Sequence, residues 1–148
     1  MTDHEEAVCR LQEMLRFDTT NPPGNELALA THLAASLQAE GLQAEVLEST
    51  PDRASLAVRL RGDGSERPLL MMSHLDVVPV EPSRWSHPPF AGQISDGILY
   101  GRGAIDSKLT AAVHLQVLLM AHRNRLPLQR DLVLIAAADE EVGGTHGM

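Results

Sequence analysis

Two short apolar runs constrain this chain more than any other feature. Leu69-Leu70-Met71-Met72 and Leu132-Val133-Leu134-Ile135-Ala136-Ala137-Ala138 show no alternation of polar and apolar residues and are too short to cross a bilayer. Runs of this kind read as strands buried on both faces, the pattern of a sheet covered from either side. Each run also stops at charge. The first passes through Ser73 into His74-Leu75-Asp76, and the second into Asp139-Glu140-Glu141. In open α/β sheets, ligands sit at the carboxyl ends of strands. The two runs therefore point to a fold class and to the edge where its chemistry belongs.

Helical periodicity surrounds these strands. Ala7, Val8, Leu11, Met14 and Leu15 predict a helix over residues 4–17, with acids in its first turn. Asp18-Thr19-Thr20-Asn21-Pro22-Pro23-Gly24-Asn25 reads as a loop, because two prolines and a glycine cannot continue a helix. A second helix is predicted over residues 26–40, with Asn25 as N-cap and Gly41 at its C-terminal end. Residues 43–48 and 54–61 alternate and predict strands, the latter with one solvated face. Residues 79–97 read as an ordered loop, and Asp96-Gly97 between Ile94 and Ile98 predicts a small hairpin. A third helix is predicted over 108–123, ending before Pro127. The order α, α, β, β, β, α, β makes this an α/β protein, a layered sheet with helices on both faces.

Charge narrows the partners. Twelve basic residues against 20 acidic ones give a net charge of -8, and Lys108 is the single lysine. Nucleic acid and anionic membranes both demand a basic field, so neither is an expected partner. Cations remain open. Cys9 is the lone cysteine and the N-terminus is acidic, so neither a disulfide framework nor a basic leader is expected, and the default location is cytoplasmic.

The acids gather where the strands end. Besides His74-Leu75-Asp76 and Asp139-Glu140-Glu141, the segment Gly101-Arg102-Gly103-Ala104-Ile105 leads into Asp106-Ser107-Lys108 at a predicted helix start. Carboxylates brought together at a sheet edge repel unless something positive joins them, and a divalent cation neutralises several at once. One imidazole among carboxylates suits zinc, cobalt or manganese better than calcium, which prefers oxygen alone. In a strand, residues two apart share a face, so Asp76 can reach the His74 ring and fix its tautomer. Taken singly, each signal is weak. A histidine after a strand is usually structural, a Glu-Glu pair is usually a solvated face, and Gly-x-Gly usually marks a tight turn. Their conjunction at three strand or helix ends carries the argument. His4, His32, His87, His114, His122 and His146 lack that context and read as structural or surface residues, and Trp85 and Tyr100 read as loop packing.

The motifs then resemble a known family. Thr19-Thr20-Asn21-Pro22-Pro23-Gly24-Asn25-Glu26, Ser73-His74-Leu75-Asp76-Val77-Val78-Pro79, Trp85 to Phe90, Asp96 to Lys108 and Asp139-Glu140-Glu141-Val142-Gly143-Gly144 are similar, in order and spacing, to the N-terminal part of the M20 zinc metallopeptidases and deacylases. That group includes acetylornithine deacetylase, succinyl-diaminopimelate desuccinylase, aminoacylases and carboxypeptidases. The resemblance implies that His74 binds one metal, Asp106 bridges two, Glu141 binds the other, Glu140 is the general base and Asp76 supports His74. It also implies a cis peptide bond after Asp106; Ser107 there departs from the commoner acidic residue or methionine. The implied activity is hydrolysis of an amide bond in an N-acyl amino acid or short peptide, by water activated between two Zn2+ ions, with Co2+ or Mn2+ as substitutes.

On that resemblance, residues 1–148 correspond to the N-terminal portion of a catalytic domain of the zinc-peptidase-like fold. The remaining metal ligands, the rest of the catalytic domain and a second domain that covers the site and forms a homodimer would lie elsewhere. The expectation is a fragment inactive by itself, with unpaired strand edges and exposed apolar surface. Two alternatives stay open: a non-catalytic metal-binding remnant, and a metal-dependent phosphoesterase, which also uses His and Asp at strand ends.

Overall fold

The periodicities of the sequence become helices and strands close to their expected bounds. The structure, a computed structural model, describes residues 1–147. The helices are α1 (Asp3–Leu15), α2 (Glu26–Ala39) and α3 (Lys108–Arg123). The strands β1 (Ala44–Thr50), β2 (Arg53–Leu60), β3 (Leu69–His74) and β6 (Leu132–Ala137) form one sheet in the order β1-β2-β6-β3. β6 runs parallel to β3 and antiparallel to β2, which is antiparallel to β1. β4 (Gln93–Ser95) and β5 (Ile98–Tyr100) form a separate hairpin. Its turn residues Asp96 and Gly97 both take positive φ, +51° and +77°, the signature of a type I′ turn, and the small hairpin the sequence predicts is present.

One core joins these parts. Leu56 and Val58 of β2 and Leu134 and Ala136 of β6 meet Leu29, Leu33 and Leu37 of α2 and Leu115, Leu118 and Leu119 of α3. α1 adds Leu11, Met14 and Leu15 and lies against α3. α2 stops in a tight C-terminal cap. Gly41, at φ +85°, lets its own N–H reach the Gln38 carbonyl and the Leu42 N–H reach that of Leu37, and Leu42 packs into the same core.

Two expectations about burial need correction. The described helices cover one face of the sheet, not both. On the opposite face Leu47, Leu70 and Met72 are about half exposed, at 49%, 52% and 47%. β3 is accordingly an edge strand with one neighbour and one helix-covered side. An unbroken apolar run does not distinguish this from a strand buried on both faces. β2 errs in the other direction. It lies between β1 and β6, and Arg53, Ala54, Ser55 and Leu56 are all buried, so the expected solvated face is confined to its C-terminal half. Among the described residues no helix is long and apolar enough to cross a membrane.

The single lysine is an internal strut. Lys108 is fully buried, and its Nζ donates to the carbonyl oxygens of Met14 at 3.1 Å and Phe17 at 2.8 Å. A cation is thus placed at the C-terminal end of α1, where the helix dipole favours it. Burial pushes the amine down to about 8, partly offset by the charges of Asp18 and Asp76, so it is mostly protonated at neutral pH. Lys108→Met fills similar volume but leaves both carbonyls without their donor. Urea unfolding should show a loss of about 2 kcal/mol, the usual cost of orphaned buried polar groups.

Candidate metal centre

The parallel pairing of β3 with β6 sets His74 opposite Ala137, so the ends of both strands meet at one edge. Beyond Ala138 the chain turns sharply. Asp139 takes a left-handed conformation at φ +67°, residues 140–142 make one 3-10 turn, and Gly143 and Gly144 follow at φ +112° and +73°. The turn brings Glu140 and Glu141 back toward the end of β3.

Asp76 fastens that turn. It is wholly buried; its Oδ1 accepts from the Glu140 N–H at 3.1 Å and its Oδ2 from the Glu141 N–H at 3.0 Å. Oδ2 also accepts from Asn21 Nδ2 at 2.8 Å. Burial pushes this carboxyl up, but contact with His74 and the bonds from Asn21, Glu141 and Glu140 outweigh it and hold the group below its usual range.

His74 is oriented by the same residue, chiefly through the main chain. Its Nδ1 lies 3.0 Å from the Asp76 carbonyl oxygen and 3.4 Å from Asp76 Oδ1. A proton on Nδ1 is held there, which turns Nε2 toward the open edge. Nε2 sits 3.0 Å from Asp106 Oδ1 and 3.8 Å from Glu140 Oε2. His74, Glu140 and Glu141 each offer one ligand atom within 4.8 Å of the other two. Asp106, whose side chain is 78% exposed, joins through its contact with His74. The hydroxyl of Ser107 accepts from the His74 N–H at 3.0 Å and donates to the His74 carbonyl at 3.2 Å, tying the Asp106 loop to the end of β3. The Asp106–Ser107 peptide bond is cis, as the resemblance implies.

All five candidate residues, His74, Asp76, Asp106, Glu140 and Glu141, therefore stand at one edge of the sheet. Among the described residues no lysine or arginine pairs with Asp106, Glu140 or Glu141. Burial and the nearby charges of Asp106, Asp76 and Glu140 raise the Glu141 carboxyl against the pull of His74. An imidazole nitrogen and three carboxylates, with no lysine or arginine paired to them, fit a borderline divalent cation such as Zn2+, Co2+ or Mn2+. His146 stays outside this cluster; its main-chain N–H donates to Asp139 Oδ2 at 3.0 Å.

Sequence reasoning assigned no role to Asn21, Glu26, Arg53 or Asp139, yet all four are buried beside the site. Asn21, Glu26 and Asp139 belong to the motifs that carry the family resemblance, which is their only signal, and Arg53 lies outside all of them.

Residues 70–148 match the sequence profile of peptidase family M20/M25/M40. Aminoacylase-1 from Sus scrofa is 31% identical over 144 residues, which covers 96% of this chain and 35% of that protein. Succinyl-diaminopimelate desuccinylase from Delftia acidovorans is 39% identical over 120 residues, covering 78% of this chain and 31% of that one. Among solved structures, an M20 family metallo-carboxypeptidase from Sulfolobus solfataricus superposes with a TM-score of 0.81 at 26% identity, over 95% of this chain and 32% of its own. The chain thus spans about a third of the length of these three proteins.

The metal-free site makes a testable statement about His74. Its bond to the Asp76 carboxylate, with that to Asp106, outweighs burial and raises the imidazole to about 9. The folded state then holds the proton more tightly than the unfolded state, whose value is near 6.5. The stabilisation is complete below that lower value and is lost as pH rises through the higher one. Thermal melts of metal-free protein between pH 6 and 10 should fall more steeply for wild type than for His74→Ala. NMR should place the imidazole titration near 9, and added Zn2+ should abolish it.

Proposed function

Because the chain belongs to peptidase family M20/M25/M40, we propose that it carries the metal-holding part of a hydrolase that cleaves amide bonds. The observation that carries this reading is His74 Nε2, turned by Asp76 toward the carboxylates of Asp106 and Glu140 with Glu141 beside them. Its substrates are N-acyl amino acids or short peptides, and the cations are two Zn2+ ions in the complete site. His74 would hold one and Glu141 the other, with Asp106 as a ligand shared by both.

Divalent cations, when bound there, would supply Lewis-acid polarisation of the scissile carbonyl and a lowered pKa for the attacking water. The protein's own groups do the rest. Glu140 is open to solvent at 44% of its side chain. It takes the proton of the attacking water and later returns it to the departing amine. Asp76 anchors the N–H groups of both Glu140 and Glu141, which fixes the turn that presents Glu140 as base and Glu141 as ligand in this reading. Residues 1–148 form the N-terminal portion of the catalytic domain in this reading. A covering and dimerising second domain and further metal ligands belong to sequence outside it, and the acidic protein works in the cytoplasm.

A second reading, a single-cation remnant without catalysis, draws on one observation. Glu140, the proposed base, completes the closest ligand triplet with His74 and Glu141, while Asp106 stands outside it. Calorimetric titration of the metal-free complete protein with Zn2+ separates the two. Two sites support the hydrolase; one site supports the remnant; none overturns both. In the complete protein Glu140→Ala should lower kcat by about a thousandfold while keeping its metal, the scale of a lost general base. Purified residues 1–148 should not hydrolyse N-acyl amino acids, and zinc-dependent turnover by them would overturn the division of labour proposed here.

A further inference from the structure

Arg53 opens β2 and lies far in sequence from every candidate ligand. The antiparallel register, Leu56 opposite Ala136, nevertheless places the start of β2 beside the end of β6. There its guanidinium is buried among acceptors. Nε donates to Glu26 Oε2 at 2.7 Å and Nη2 to Glu26 Oε1 at 3.0 Å. Nη2 also donates to Asp139 Oδ1 at 2.6 Å, and Nη1 to the Pro23 carbonyl at 2.9 Å. Gly24 leaves the space this requires, since a Cβ there would stand 2.2 Å from Arg53 Cζ.

Asp139 is consequently held on every side. Its Oδ1 accepts from Arg53 and, at 3.2 Å, from Asn21 Nδ2, the same group that bonds Asp76. Its N–H reaches Glu26 Oε1 at 3.3 Å, and its carbonyl accepts from Gly144 at 2.7 Å. A residue other than glycine in the left-handed region needs such support. From this residue the chain starts the turn whose next two N–H groups meet Asp76 and whose side chains face the site.

We propose that Arg53 is a positioning residue for the metal centre: by bridging Glu26 and Asp139 it sets the turn from which Glu140 and Glu141 reach the cations. The consequence for metal affinity rests on the hydrolase reading, whereas the hold on the turn does not. A residue that merely neutralised Glu26 becomes dispensable once that charge is removed. A positioning residue does not, because Asp139 still lacks its guanidinium.

The test is the double variant Glu26→Gln/Arg53→Met, with Arg53→Lys as a second variant that keeps the charge but loses the planar fork joining both carboxylates. Folding is checked by near-UV circular dichroism, and two further quantities are read: hydrogen exchange at the Glu140 and Glu141 amides, and Zn2+ affinity by calorimetry. In whichever variant folds, we expect exchange at both amides to quicken at least tenfold and Zn2+ affinity to fall at least tenfold. A folded variant with both quantities at wild-type values overturns the proposal. If the wild-type protein takes up no Zn2+, the hydrolase reading fails, and amide exchange alone then decides whether Arg53 holds the turn.

Discussion

The carboxylate of Asp76 is the contact on which the candidate site depends. It is buried, it takes the N–H groups of Glu140 and Glu141, and it is met by His74 and Asn21. In doing so it joins three chain segments: the end of β3 with its His74 ring, the turn after β6 and the proline-containing loop before α2. A buried charge of this kind is costly unless its lone pairs are filled. The sheet order makes filling possible, because only parallel neighbours bring two strand ends to the same edge. The topology supplies the meeting point and the carboxylate fixes its geometry.

The distribution of charge follows the same division. Two buried cationic side chains near the site are engaged elsewhere. Lys108 is turned inward to the end of α1, and Arg53 is taken up by Glu26 and Asp139. The acids at the open edge are left with one imidazole. The excess of eight negative charges is therefore not spread evenly: residues 131–148 hold four acids and neither lysine nor arginine.

How far the sequence carried this structure depended on the range of the interactions. α3 and β6 were legible nearly to the residue, because helical period, a proline beyond the end and a bounded apolar run are local signals. The candidate site was legible because its residues cluster at element ends, where pattern breaks. The bare face of β3 was not, since an apolar run reports that neighbours are apolar and not how many sides they occupy. The pairing of Arg53 with Glu26 was invisible for a related reason, although Glu26 itself ends the proline-containing motif. The two are 27 residues apart, and Arg53 and Asp139 are 86 apart. A pairing across such distances leaves no local trace in one sequence, and an arginine at a strand start looks the same whether buried or solvated.

The separation of the ligands in sequence also has a thermodynamic consequence. His74 and Asp106 are 32 residues apart, and Glu140 lies a further 34 along the chain, so the unfolded chain presents no site. A cation that binds only the folded arrangement adds its binding free energy to folding. In its absence the structure has a substitute. The raised affinity of His74 for a proton places one positive charge among the carboxylates and relieves part of their repulsion. Metal and proton thus compete for one nitrogen, and both draw on the same carboxylates. Occupation by metal must release that proton, so affinity for the cation should rise with pH across the range in which His74 titrates. The same excess of acids whose mutual repulsion destabilises this edge is what makes it receptive to a cation.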